Sequence, residues 1–379
     1  MVSKDSALLD LIHRVYTMDD ALEKQYDVKR GLRNADGTGV LAGLTKISNV
    51  HGYVMSDGDR VPSEGRLVLR GYDIRTLIDN AIAENRFGYE EVAFLLVLGK
   101  LPTRQELDNF NSLIDEMRDL PDGFVNSLIL KAPSADTMNM MARSILNLYA
   151  FDDNPDEIEL VHELDTSIAL LSRLPRIAAL SYNTRHALDT GEKVVWHPAR
   201  AGDSMAETVL YMLREDMTWT EEEARLLDIM LILHAEHGGG NNSTFTCRVL
   251  TSAGTDPYSA YSGAICSLKG PKHGGANARI TAMTDDLMAS VPNWTDEGSV
   301  ADYLRRILNK EAFDRSGLIY GMGHAVYTLS DPRAEIVKGF ARDLAVKKGY
   351  SDRMEFLESI ERFPPDIMEE KRGVRPVIS

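Results

Sequence analysis

The chain has 379 residues, with 42 lysines and arginines against 58 aspartates and glutamates, a formal net charge of −16 at pH 7. That balance argues against non-specific nucleic-acid binding, which needs a basic surface, but leaves room for a local positive site made by a few arginines and histidines. Hydrophobic content of 44% with 26% charged residues is ordinary for a globular protein, and the length exceeds what one core usually supports, so two domains are expected.

The N-terminal stretch MVSKDSALLDLIHRVY carries acidic residues where a signal peptide would have an apolar run. The longest apolar stretches, VAFLLVL (92–98) and IMLIL (229–233), are too short to span a bilayer. A cytoplasmic protein without membrane association is expected. Cys247 and Cys266 have no Cys-x-x-Cys spacing and read as reduced structural thiols.

In chain order, GYVMSDGDRVPSEGRLVLRG (52–71) predicts a small β ribbon with an Asp-Gly turn at 57–58. Helix signals then dominate. Thr103-x-x-Glu106 is a capping box opening a helix to about Arg118, and Thr220-x-x-Glu223 is another, before the apolar run ARLLDIMLIL. The second helix is expected to stop at the triple glycine 238–240, leaving His237 near its C-terminal end. Asp256-Pro257 predicts an N-cap with proline at the first helical position. Ser299-x-x-Asp302 and Asp331-Pro332 predict two further starts, the latter helix stopping near Gly349. No strand–helix alternation appears, so the expected fold is mainly α with a minor β ribbon near residues 50–70. A division just after His273, with the pair Gly274-Gly275 as hinge, separates a larger domain (1–274) from a smaller one (275–379).

Three histidines stand in glycine-rich settings: HAEHGGGNNS (234–243), LKGPKHGGAN (268–277) and YGMGHAVYTLSDPR (320–333). Glycine beside histidine removes bulk where a ligand must approach ring and backbone, so His237, His273 and His324 suggest a small polar ligand held among imidazoles. His234 and His237 at i, i+3 with Glu236 between them could suggest a metal, but the H-E-x-x-H pattern is absent and no metal is expected. His237-Gly-Gly-Gly resembles an oxyanion-hole segment, yet no G-x-S-x-G nucleophile elbow accompanies it; Gly202-Asp203-Ser204-Met205-Ala206 lacks the final glycine. Gly321-x-Gly323 lacks the third glycine of a dinucleotide fingerprint, and Gly37-x-Gly39 reads as a connector. Arg333, in the first turn after Asp331-Pro332, could hold a carboxylate with its fork, or pair with Asp331 or Glu335 at the surface.

On these residues the chain resembles the citrate synthase family. GMGHAVYTLSDPR looks like the family signature, and LHAEHGGGNNSTFT and LKGPKHGGANA look like its other histidine segments, 273 − 237 = 36 residues apart. GLRNADGTGVLAGLTKI (31–47), GRLVLRGYDI (65–74) and EEVAFLLVLGKLPT (90–103) match the family's N-terminal half. The resemblance implies a large and a small helical domain, a homodimer, and an active site in the cleft between the domains. It implies condensation of oxaloacetate with acetyl-CoA and hydrolysis of citryl-CoA, with acetyl-CoA as co-substrate and no permanently bound cofactor; 2-methylcitrate synthase, using propionyl-CoA, is the near neighbour. It further implies that His273 stabilises the enolate, His324 polarises the oxaloacetate carbonyl, His237, Asn241 and Arg333 hold oxaloacetate, and the backbone of Gly321, Met322 and Gly323 lines the CoA site.

Two departures accompany the resemblance. The family's general base is an aspartate in an Asn-Val-Asp-type segment, and the sequence stops at GVRPVIS (373–379) just before that segment is expected. The base, the closing helices and further substrate arginines are therefore expected beyond Ser379, with Asp366, Glu369 and Glu370 as substitutes without a motif, and these 379 residues alone are expected to be catalytically impaired or a pure binding protein. Thr328, Leu329 and Ser330 also fill the interval where the family often has a basic residue for CoA phosphates, leaving Lys269, Lys272 and Arg30 as candidates.

Overall fold

The computed structural model describes residues 44–372 apart from 58, 292, 294, 295 and 325, together with 25, 34, 39, 40, 376 and 377. Arg30, Gly37 and much of the segments 31–47 and 373–379 lie outside the described residues, as does the side chain of Glu370. Contacts divide the chain into units Met1–Leu44 and Thr45–Ser379. In the first, the Asn34 side-chain amide donates to the Gly39 carbonyl (3.3 Å); all that follows concerns the second.

The ribbon consists of β1 (Ser48–Ser56) and β2 (Asp59–Leu69), antiparallel, extended by the short β3 (Tyr72–Asp73) in the order β1-β2-β3. Ser56 pairs with Asp59, so a two-residue loop closes the hairpin, with Asp57 at φ 52°; this is where aspartate and glycine are favoured, although Gly58 lies outside the described residues. The register shifts between His51, opposite Arg66, and Tyr53, opposite Pro62. Gly52 on one strand and Ser63, Glu64 and Gly65 on the other thus form a bulge whose main-chain groups are turned away from the ladder.

The helices of the first half are α1 (Ile74–Ala83), α2 (Tyr89–Leu98), α3 (Arg104–Glu116), α4 (Thr137–Leu148), α5 (Leu160–Thr190) and α6 (Met205–Leu213). They are followed by α7 (Glu221–His234), α8 (Asn242–Thr251), α9 (Pro257–Leu268), α10 (Ala276–Ser290), α11 (Glu297–Leu308), α12 (Pro332–Lys347) and α13 (Ser351–Arg372). Both expected capping boxes form, at Thr103 and Thr220, and a third forms at Ser204 with Glu207. Asp256 and Asp331 cap α9 and α12 ahead of their prolines. Two boundaries differ from expectation. Helix α11 is capped by Asp296, whose carboxylate accepts from the Ser299 backbone N–H (3.2 Å), so Ser299 lies inside the first turn instead of starting it. Helix α7 ends at His234, before the glycines, because the next residues are drawn into a turn against the ribbon.

An apolar cluster joins Leu67 and Leu69 of β2, Ile74, Leu77 and Ile78 of α1, Val92 and Leu95 of α2, and Ile229, Ile232 and Leu233 of α7, with Ile336, Val337 and Phe340 of α12 packed on it. Each such side chain contributes roughly 1.5–3 kcal/mol when fully buried. The cluster sets ribbon, α7 and α12 in register, and His237 follows α7 while Arg333 opens α12. A separate cluster draws on Met283 and Leu287 of α10, Leu304 and Ile307 of α11, Ile319, and Phe356 and Ile360 of α13.

Helix α2 has glycine, Gly88, at its N-cap and takes its cap from afar: the Asp228 carboxylate of α7 accepts from the backbone N–H groups of Gly88 (2.8 Å) and Tyr89 (3.0 Å). Glu90, 8% exposed, accepts from the Met205 N–H of α6 (2.5 Å). Burial is the main cause that pushes the Glu90 carboxyl up to about 7 from 4.5, with Asp228 adding to it. A folded-state pKa above the unfolded one means that the native state favours the protonated acid. That advantage is complete below about pH 4.5 and is lost as pH rises through 7. Glu90→Gln keeps the acceptor and removes the charge, so it should raise the unfolding temperature at pH 8.5, by up to about 3 kcal/mol in stability. The two proteins should converge as pH falls toward 4.5. Thermal unfolding across this range checks it; a pH-independent difference would contradict it.

Candidate active site

The turn after α7 is held by one carboxylate. Glu236 Oε1 accepts from the Gly238 N–H (2.6 Å) and from the Ser48 hydroxyl at the start of β1 (2.7 Å). Gly238 sits at φ 88°, and a Cβ there would lie 3.0 Å from Val50 Cγ2, so glycine serves both conformation and space. His237 is thereby presented half-buried beside the ribbon. His234 is exposed, with Nδ1 2.6 Å from the Met230 carbonyl. Asn241 is the N-cap of α8, its Oδ1 accepting from Ser243 N–H (2.9 Å) and Thr244 N–H (3.2 Å). Its carbonyl is committed to the helix, which leaves the amide Nδ2 as the group suited to a ligand.

His324 follows Gly321 (φ 85°) and Gly323 (φ 89°), both in the left-handed region that glycine favours. Gly323 N–H donates to the Val377 carbonyl (2.7 Å), and Met322 packs on the α10–α11–α13 cluster. The imidazole folds back over its own turn: Nδ1 accepts from the backbone N–H groups of Val326 (3.1 Å) and Tyr327 (3.0 Å). An accepting Nδ1 places the proton of the neutral ring on Nε2. His237 and His324 meet edge-to-face with centroids 5.1 Å apart, and Tyr327 stacks on His324 at 4.5 Å and 26°. The Tyr327 hydroxyl is 3.2 Å from His237 Nε2.

The bulged ribbon clamps this loop. A Cβ on Gly52 would stand 2.6 Å from Tyr327 Cα, and one on Gly65 would stand 2.2 Å from the Ser330 carbonyl. Thr328 Oγ1 donates within the bulge to the Gly52 carbonyl and accepts from Ser63 N–H (3.3 Å). Ser330 Oγ accepts from Gly65 N–H (3.1 Å) and donates to Glu64. The hydroxyls thus satisfy main-chain groups that the bulge removed from the ladder. Thr328 and Ser330, which occupy the interval where a basic residue was looked for, are spent on the ribbon.

Arg333 lies where α12 begins, and its fork is engaged by Asp331: Nε to Oδ1 3.1 Å, Nη2 to Oδ2 2.7 Å. Asp331 is 2% exposed and also accepts from the Arg333 N–H (2.9 Å). Of the two pairings weighed from sequence, the one with Asp331 forms, while Glu335 pairs with Arg75. Nη1 is then the Arg333 nitrogen that these bonds do not use.

His273 comes in on another loop. Gly274 and Gly275 are required there by space, since a Cβ on Gly275 would be 2.3 Å from the Lys269 carbonyl and one on Gly274 2.6 Å from Leu268 Cδ1. His273 Nε2 lies 2.8 Å from Ser243 Oγ, so the first turn of α8 links it to the segment bearing His237. Lys269 pairs with Asp136 (2.7 Å), Lys272 is exposed, and Asp366 and Glu369 are exposed on α13.

Burial first, then Arg333 and His324, push His237 down to about 3, against a smaller upward pull from Asp331. Burial also lowers His273, and burial with Asp331 raises the Tyr327 phenol. The imidazoles of His237 and His273 are neutral near pH 7. Among the described residues no group of three or more His, Cys, Asp and Glu side chains is arranged to hold a metal ion. A cavity of about 230 Å³ lies elsewhere, lined by Glu90, Arg104, Asp115 and Arg118 among others, and shares no residue with the histidine cluster.

Sequence reasoning did not single out Tyr327, Asp331 as an anchor, Ser243, or the glycine pair 52 and 65. The last had a usable signal, because an isolated glycine inside a strand pattern marks a bulge or a close backbone approach. Gly52→Ala should cost about 1–3 kcal/mol by overpacking against Tyr327. Gly339→Ala, at an exposed position of α12 with nothing near its added Cβ, should gain roughly 0.5–1 kcal/mol. Thermal unfolding of both checks the clamp; equal effects would contradict it.

Residues 33–378 match the family model described as citrate synthase, C-terminal domain. The chain is 30% identical to 2-methylcitrate synthase 1 of Corynebacterium glutamicum, over 92% of this chain and 81% of that protein. It is 32% identical to citrate synthase of Haloferax volcanii, over 92% of this chain and 82% of that protein. Among solved structures it resembles citrate synthase from Pyrobaculum aerophilum, with TM-score 0.66, 28% identity, and 86% of this chain and 74% of that chain covered. With His237 and His324 in contact on a mostly helical frame and these matches spanning most of its length, the chain belongs to the citrate synthase family.

Proposed function

We propose that the protein is a citrate synthase, condensing acetyl-CoA with oxaloacetate and hydrolysing the citryl-CoA formed. The observation that carries this reading is the His237–His324 pair, held by the ribbon beside Arg333, with His273 on its own glycine loop. His324 Nε2–H polarises the keto oxygen of oxaloacetate. His237, the Asn241 amide and Arg333 Nη1 bind its remaining oxygens, all of which are acceptors. His273, kept neutral by burial, donates to the thioester oxygen of acetyl-CoA as its methyl group loses a proton. The new C–C bond joins the methyl carbon to the keto carbon, the keto oxygen takes up a proton, and water cleaves the thioester to release citrate and CoA.

The proton acceptor in this reading is a carboxylate of the family's Asn-Val-Asp-type segment, a string that does not occur in the 379 residues. The main chain of Gly321, Met322 and Gly323 is assigned to CoA, which enters as co-substrate. The α10–α11–α13 cluster supports a smaller domain beginning near 275, next to a larger one ending near 274. The homodimer that the family resemblance implies is part of the same proposal. No helix among the described residues is long and apolar enough to cross a membrane; the cytoplasmic location is part of this same proposal.

The second reading is 2-methylcitrate synthase, favoured by the Corynebacterium glutamicum relative at 30% identity. One methylene in an apolar pocket discriminates by only about 1–3 kcal/mol. Oxaloacetate-dependent release of the CoA thiol, measured with acetyl-CoA and propionyl-CoA, decides: a higher kcat/KM for acetyl-CoA is expected, and the reverse establishes the second reading. His273→Ala should lower kcat by about 10²–10⁴. A folded protein that binds oxaloacetate without turnover would instead be an impaired enzyme lacking its base or a binding relative.

A further inference from the structure

Tyr327 touches more of the histidine cluster than any residue singled out from sequence. It is 2% exposed, stacks on His324 at 4.5 Å, meets the His237 ring at 5.4 Å and 75°, and has the Arg333 guanidinium carbon 5.7 Å from its centroid. Its backbone N–H is one of the two donors to His324 Nδ1. Its own position is set by Gly52 and Gly65, where a Cβ would meet Tyr327 Cα at 2.6 Å and Cδ1 at 2.9 Å.

We propose that Tyr327 is a positioning residue: its hydroxyl donates to His237 Nε2, holding that imidazole with its proton on Nδ1, while its ring fixes the plane of His324. A phenol raised by burial keeps its proton and remains a donor. With Nε2 at the phenol, Nδ1 is the nitrogen left to carry the proton of the neutral ring. Both imidazoles then have the same polarity. Each turns an accepting nitrogen to the protein, His324 to two backbone N–H groups and His237 to Tyr327, and keeps an N–H as donor. A keto dicarboxylate, which offers only acceptors near neutral pH, needs this arrangement; a ring free to exchange tautomers would present a lone pair to it part of the time. The inference deepens the citrate synthase reading and rests on it for the identity of the ligand.

The test combines ¹⁵N NMR of the imidazole nitrogens with calorimetric titration of oxaloacetate, on the whole chain and on Tyr327→Phe, which keeps the ring and removes the hydroxyl. In the parent protein His237 should show a protonated Nδ1 and an unprotonated Nε2. In the variant those shifts should move toward a tautomer mixture, His324 should be unchanged, and oxaloacetate should bind about tenfold more weakly, the loss of one hydrogen bond. Tyr327→Leu, which also removes the ring, should disturb the His324 shifts as well. Unchanged His237 shifts and affinity in Tyr327→Phe would overturn the proposal. Failure of the parent protein to bind oxaloacetate would overturn the ligand reading, while the nitrogen shifts would still decide the role of Tyr327.

Discussion

Everything at the histidine cluster depends on the contact between a bulged β ribbon near the start of the described chain and the His324–Pro332 loop far along it. The bulge at Gly52 and Ser63–Gly65 removes main-chain groups from the strand ladder, and Thr328 and Ser330 restore their hydrogen bonds across some 265 residues of sequence. Two absent side chains make the approach possible, since a Cβ at Gly52 or Gly65 would collide with the loop backbone. A buried peptide group left unpaired costs about 1–3 kcal/mol, so loop and bulge each satisfy the other. The ribbon also holds the His237 turn, through Ser48 and Glu236. One small sheet therefore places both histidines.

The electrostatics follow from that packing. Taking His237 out of water beside Arg333 disfavours a second positive charge, and the ring is held neutral. Asp331, almost fully buried, neutralises Arg333 through a two-point contact and caps α12 with the same carboxylate. Removing one partner of such a pair would strand a buried charge, a loss of about 3–5 kcal/mol. The cluster thus combines neutral N–H donors with a guanidinium already fixed in direction, which suits an anionic ligand better than loose positive charges would.

Much of this was legible in the sequence because it rests on local chemistry. Capping boxes at Thr103 and Thr220, the Asp-Pro starts at 256 and 331, and the ribbon pattern are short-range devices and formed as read. The three histidine segments and their glycines also resembled the family to which the chain belongs. What sequence did not reveal is long-range. Asp296 in place of Ser299 as the cap of α11 was a contest between two adequate residues. The early end of α7 depends on a carboxylate reaching a strand 188 residues away. Lys269 paired with Asp136, and Thr328 and Ser330 with the bulge: each is a partner choice that only the fold makes. Tyr327 is not legible in sequence, because an aromatic in a motif looks like core and its hydroxyl meets an imidazole 90 residues away.

A crystal structure with oxaloacetate bound decides whether the histidine pair is the substrate site. The keto oxygen should lie within hydrogen-bond distance of His324 Nε2, with a carboxylate on Arg333 Nη1 and the Asp331–Arg333 pair intact. Oxaloacetate bound away from His237 and His324, or a His324 ring turned so that Nδ1 faces the ligand, would contradict this assignment.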